Sequence, residues 1–205
     1  MILGFCIAAA VLASCATRYT YVANSGDRTY FRMPHGWTLF DESELRASHA
    51  LGIPESEPPG SAPMWIVAFD ADPSASPKDL AFDDESYPQG LAQVRTLDEA
   101  TRASFSDASI RNSLLPLDQI MQQNPDALQL LNTDAIKQAD GVHGMRLVYR
   151  LTASGTSITV DQVAVVDSST QKLHLLAIWC SSTCYDRYRA SIAQVVDSWT
   201  VKEPR

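Results

Sequence analysis

Leu173-His174-Leu175-Leu176-Ala177-Ile178-Trp179 is the stretch whose reading decides the fold. It is short, free of Gly and Pro, and apolar at both odd and even positions, so as a strand it is greasy on both faces. Such a strand belongs inside a sheet that is covered on each side. Upstream of it, residues 158–166, 145–151 and 127–137 also read as strands. Turn signals at Asp167-Ser168-Ser169, Ser154-Gly155 and Asp140-Gly141 separate them. Connections this short predict antiparallel neighbours, because parallel strands need long crossovers.

Downstream, Tyr185, Tyr188, Ile192, Val195, Val196 and Trp199 form one apolar stripe at helical spacing. Ser181 or Ser182 would cap that helix, and Asp186 would lie near the positive end of its dipole. Towards the N-terminus, residues 64–69 form a second strand apolar on both faces. Thr29-Tyr30-Phe31-Arg32-Met33-Pro34 reads as the first strand, and 91–95 alternates like another. Thr96 and Glu99 have capping-box spacing; Ser106 could cap a second turn carrying Ile110 and Leu114, and a short helical piece is expected around Ile120. Residues 41–63, acidic and then rich in proline, read as a loop, as do 71–90 with Pro73, Pro77 and Pro88. The sum predicts an α+β fold: a single-domain α-β-α sandwich around a mostly antiparallel sheet.

Hydrophobic and charged contents of 45% and 20% suit an ordinary globular domain. The net charge of −8 is unevenly placed: residues 41–99 hold thirteen acids against three bases, so the remainder sums to +2. No basic patch is present for nucleic acid, and none is expected as a partner.

The N-terminus gives a place. Leu12-Ala13-Ser14-Cys15 closes an apolar run that begins at Met1, and it matches a bacterial lipobox. The run is about 13 residues before Ser14, short of the ~20 needed to span a bilayer but suited to a signal peptide. No Lys or Arg precedes Arg18, so the usual basic n-region is missing. The expectation is a lipoprotein signal peptide over 1–14, a lipidated tether over 15–26 and a globular domain over 27–205. Lipidation of Cys15, with acyl chains such as palmitate, would hold the exported protein on the outer face of the cell membrane. Several chains anchor durably where one does not.

Three places carry a family resemblance. They are Phe31-Arg32-Met33-Pro34-His35-Gly36-Trp37, Gly141-Val142-His143-Gly144-Met145-Arg146, and the closing helix that ends Val195-Val196-Asp197-Ser198-Trp199. In these the chain resembles the small cell-envelope lipoproteins of the LpqN type, which share the PsbP-like α-β-α sandwich. The resemblance implies a non-enzymatic protein that binds other envelope or secreted proteins, or a small ligand. It carries no catalytic constellation to transfer.

Other constellations offer competing chemistry. Cys180 and Cys184 sit between a strand and a helix N-terminus; in an exported protein they form a disulfide. The alternative is an envelope hydrolase, or a thiol-redox or metal protein using the same two cysteines. Against copper, Tyr188 stands where the C-S-x-x-C pattern expects histidine. His143 and His174 with Asp161 could bind zinc, although ordinary solvent-facing sheet histidines are the plainer reading, with His35 and His49 in loops. Asp70-Ala71-Asp72-Pro73-Ser74 begins like a calcium loop, but Ala75 and Ala81 break the pattern. No nucleophile elbow or phosphate loop is present. No catalytic residue, metal or cofactor is assigned. The loops at 41–63 and 71–90 are the expected contact surface.

Overall fold

The computed structural model describes residues 18–54, 63–83, 86–153 and 155–203. Cys15 and the expected signal peptide lie outside the described residues, as do 55–62 and Asp84-Glu85 in the two expected loops.

The elements run β1 (Tyr19–Asn24), β2 (Thr29–Pro34), β3 (Thr38–Phe40), α1 (Glu42–Ser48), β4 (Met64–Asp70) and β5 (Gln89–Thr96). Three short helices follow, α2 (Glu99–Ala103), α3 (Asp107–Arg111) and α4 (Leu117–Gln123). Then come β6 (Leu128–Lys137), β7 (His143–Ala153), β8 (Thr156–Val166), β9 (Lys172–Ser181), α5 (Ser182–Ser198) and β10 (Thr200–Val201). Seven strands form the main sheet in the order β3-β4-β5-β9-β8-β7-β6, and β1-β2-β10 form a smaller one. Every pairing among the described strands is antiparallel.

The two-faced character of β9 is explained by its place at the centre. Leu173, Leu175, Ala177 and Trp179 point to one layer, with Leu45 of α1, Ile110 of α3 and Leu117 of α4. Leu176, Ile178 and Cys180 point to the other, with Phe31 and Met33 of β2 and Ile192 and Val195 of α5. The sheet thus separates two apolar cores, one roofed by the short helices and one by α5 with the small sheet. At ~25 cal/mol per Å², each large side chain buried in these layers contributes roughly 1.5–3 kcal/mol before entropy is counted.

Several local expectations change. The expected tether over 15–26 is strand from Tyr19 onward, paired with β2 along its whole length and burying Val22. Its aromatic and β-branched residues suit a pleated surface, which its polar neighbours concealed. The expected loop over 41–63 opens with α1, whose Asp41 accepts from the Glu44 amide while the Glu44 carboxylate accepts from the Asp41 amide. Two of the acids in this stretch, Asp41 and Glu44, form a capping box. The cap of α2 is Asp98, not Thr96. His174 does not face solvent: it is 2% exposed, and its Nδ1 lies 2.7 Å from the Thr29 hydroxyl.

A glycine inside a strand has a reason here. A Cβ on Gly144 would lie 2.1 Å from the Ala164 carbonyl oxygen and 2.6 Å from the Val165 Cα. Only glycine lets β7 and β8 approach this closely.

Candidate functional site

The alternation of β7 sends Arg146, Val148 and Arg150 to the face on which α5 lies, and β8 sends Thr159 and Asp161 to the same side. Helix α5 packs over β8, β9 and β2. Between it and β6–β7 a cleft of about 350 Å³ remains.

Its floor is a charged triad built for rigidity. Arg146 holds both oxygens of Asp161, through Nε at 2.9 Å and Nη2 at 2.8 Å. Tyr185 donates its hydroxyl to Asp161 Oδ2 at 2.9 Å. Asp161 is fully buried, so this fork offsets the cost of removing a carboxylate from water. Hydrogen bonding to Asp161 raises the Arg146 guanidinium further above its ordinary value. Burial and then the charge of Asp161 push the Tyr185 phenol up, so it remains a donor. Held by three hydrogen bonds, Asp161 is a structural acceptor.

The cleft reverses the charge of the molecule. In a chain of net charge −8, the arginines Arg146, Arg150 and Arg189 outnumber two acids there, Asp161 on the floor and Asp186 on the wall. Arg189 pairs with Asp186 on the same helix. Arg150 donates only to neutral groups, Ser182 Oγ at 3.2 Å and Gln129 Oε1 at 3.3 Å, and has no carboxylate partner among the described residues. Leu131, Val148 and the Tyr185 ring add apolar wall. On the far side of Arg146 a second hollow of about 270 Å³ continues along β7, lined by Asp134, Ile136 and Trp199 among others. The Trp199 indole N–H is buried there without a hydrogen-bond partner. A buried donor left unpaired is costly.

β6, whose Leu131 and Asn132 line the cleft, forms one edge of the sheet. It is exposed over most of its length, and a bulge between Leu130 and Asn132 leaves Leu130 and Leu131 in solvent.

The residues singled out in sequence go elsewhere. Cys180 and Cys184 are joined in a disulfide across a Cα–Cα distance of 5.9 Å, and both are buried, which leaves no sulfur for a substrate to reach. The candidate zinc trio is not brought together: His143 turns to the Gly141 carbonyl, His174 to Thr29, and Asp161 to Arg146. Among the described residues no group of three or more His, Cys, Asp or Glu could hold a metal ion. No helix among them is long and apolar enough to cross a membrane.

Of the expected contact loop at 71–90, the described residues up to Phe82 are tied down. Asp70, buried, accepts from the Asp72 amide and from Gln89, while Gln89 also holds the Asp79 carbonyl and the Ala81 amide. Trp179 donates its indole N–H to the Ala81 carbonyl, and its ring stacks on Phe82. With Leu80 buried as well, removing 74–86 would strip the core. Burial pushes the Asp70 carboxyl above its ordinary value, partly offset by these hydrogen bonds.

No known family's sequence pattern matches the chain, and no curated protein matches it. Solved structures do. The solution structure of cyanobacterial PsbP from Synechocystis sp. PCC 6803 is similar at 15% identity, over 98% of this chain and 99% of that one, with a TM-score of 0.51. The Ran-binding protein Mog1p of Saccharomyces cerevisiae matches at 10% identity over 89% and 95% of the two chains, with a TM-score of 0.47. LpqN of Mycobacterium tuberculosis, described as involved in cell envelope biogenesis, matches at 14% identity over 91% and 92%, with a TM-score of 0.46. The last two likenesses are weaker, and the cyanobacterial structure defines the fold: a single α+β domain of PsbP-like topology.

Proposed function

We propose that the protein is a lipid-anchored binding protein of the cell envelope, exported and tethered through Cys15, that works by capturing a partner rather than by catalysis. Two lines support this. Leu12-Ala13-Ser14-Cys15 has the residues that lipoprotein processing requires. The observation that carries the binding role is the arginine-lined cleft beside α5, opposite in sign to the rest of the chain. Its floor acid, Asp161, is held by Arg146 and Tyr185, Asp186 is paired with Arg189, and Cys180 and Cys184 are closed in a disulfide. Lipid at Cys15 would confine the cleft near the membrane and raise its effective concentration for envelope or secreted proteins there.

The test of place is fractionation of cells carrying the wild type or Cys15→Ala. The wild type should sediment with membranes and the variant should be released in soluble, exported form. Membrane retention of the variant, or a cytosolic wild type, would overturn the tether.

A further inference from the structure

Resting on the binding role of this cleft, we infer that its ligand is an extended acidic peptide segment of a partner protein. The segment pairs with β6 as an eighth strand and places an acidic side chain on Arg150.

The two edges of the main sheet differ in what they offer. β3 presents three residues, whereas β6 presents ten and contains no proline. An edge strand is a row of unpaired backbone donors and acceptors, and natural proteins blunt such rows with bulges and charges. Here the bulge at Leu130–Asn132 protects only the start of β6. From Asn132 to Lys137 the pairing with β7 runs without a shift, which leaves six residues of regular edge. Peptides add to such edges through main-chain bonds, while alternate side chains enter neighbouring pockets and set specificity.

The pocket for those side chains is the cleft. An added strand would lie two strand spacings from β7, roughly 9.6 Å. Arg150 already spans the first spacing, since its Nη1 reaches Gln129 Oε1 on β6. A glutamate that continues the paired segment past the bulge, abreast of Gln129, can cover the rest and give Arg150 the carboxylate it lacks. Charge complementarity therefore selects an acidic segment. The exposed Leu130 and Leu131 give apolar side chains of the same segment something to cover.

A second copy of this chain fits worse. Asp134 is the sole acid of β6. Bringing it opposite Gln129 of another copy would put the symmetry axis between Leu131 and Asn132, so that the two bulges meet.

The probe is a random heptapeptide display library selected against the purified full-length protein in detergent. Selected peptides should be enriched in Asp and Glu, and should slow amide hydrogen exchange at 132–137. Arg150→Glu should weaken them at least tenfold and Arg150→Lys much less, with circular dichroism verifying both folds. Peptides without acids, equal binding to Arg150→Glu, no selected peptide, or β6 protected by self-association would overturn the inference. Binding that maps to Arg189 and Tyr185 without protecting β6 would sink strand addition yet leave the cleft as a binding site. Binding mapped away from the cleft altogether would sink both.

Discussion

At one end of the seven-stranded sheet the last strand, β3, is three residues long and runs straight into α1, which folds back under a capping box. At the other end β6 runs for ten residues, mostly in solvent, with its outer side unpaired. The first end is closed by local devices that ask nothing of a partner. The second keeps its backbone available and sets a charged cleft beside it. A chain that needed only to fold could have shortened or capped both edges. The difference shows where the molecule keeps a long row of exposed backbone: at the open end, beside Arg150.

The largest effect is expected from the fork that holds this open end together. Arg146→Ala would leave Asp161 buried with Tyr185 as its remaining partner. Breaking one side of a buried pair costs about 3–5 kcal/mol. Urea unfolding should show a loss of that size, and Arg146→Lys, which keeps charge but not the two-pronged geometry, should lose less. A loss under about 1 kcal/mol would mean that the pair behaves like a surface contact and that the floor of the cleft is not rigid.

A somewhat smaller effect tests whether the two ends depend on a common middle. His174 lies on the central strand β9, and burial lowers its pKa to about 4, against the opposing pull of Asp167, Asp27 and Glu203; Lys172 adds to the lowering. The sign follows from linkage. Above about pH 6.5 the ring is neutral in both folded and unfolded chains. As pH falls towards 4 the unfolded chain takes up a proton that the folded one refuses, so stability drops by up to roughly 3 kcal/mol. Asp70, whose pKa is raised, works the other way at the acid end of that window. Comparing urea midpoints at pH 7 and pH 4.5 for the wild type and His174→Asn should show the slope largely removed in the variant. Amides of β3 and β6 should be released together on global unfolding. If β6 were lost alone as the pH falls, the two ends would be separate folding units and the middle would not couple them.

Much of this architecture was legible in the chain. Residues 173–179 read as a strand covered on both faces, and the stripe from Tyr185 to Trp199 as a helix. What escaped were elements whose apolar signal is thin. β1 buries one side chain, Val22, among two tyrosines, a threonine and an asparagine, and α1 rests on Leu45 alone. Asp41-x-x-Glu44 was the available sign of α1, hidden in a run whose acidity suggested solvent. The cleft escaped for a different reason. Arg146 and Arg150 stand four apart on β7 with Val148 between them, which marks a polar row on a strand. Nothing in the chain says that β7 lies next to an edge, or that Arg189 of α5 comes to meet them. Strand order is set by which cores close, and that is a property of the whole fold. Loop 71–90 misled in the opposite sense, since its proline and acid content gives no hint that Trp179 and Gln89 pin it from beneath.

The smallest effect concerns the closed end. The Asp41 carboxyl is held below its ordinary range by hydrogen bonds from the Ser43 hydroxyl and the Glu44 amide. It therefore stays ionised as a cap until the pH falls below the usual carboxylate range, and its contribution is lost only as the pH passes through that lowered value. Asp41→Ala removes an acceptor for the Glu44 amide and half of the reciprocal box, while Leu45 remains packed in the core. The expected outcome is local: amides of α1 exchange faster by a factor of roughly five, with β6 and the cleft unchanged. Hydrogen exchange read residue by residue decides it. If α1 amides were unaffected, Leu45 alone would hold the helix, and closure of this edge would depend on burial rather than on its cap. If β6 amides were released as well, the ends of the sheet would communicate through the core, and the open edge could not be tuned independently of the closed one.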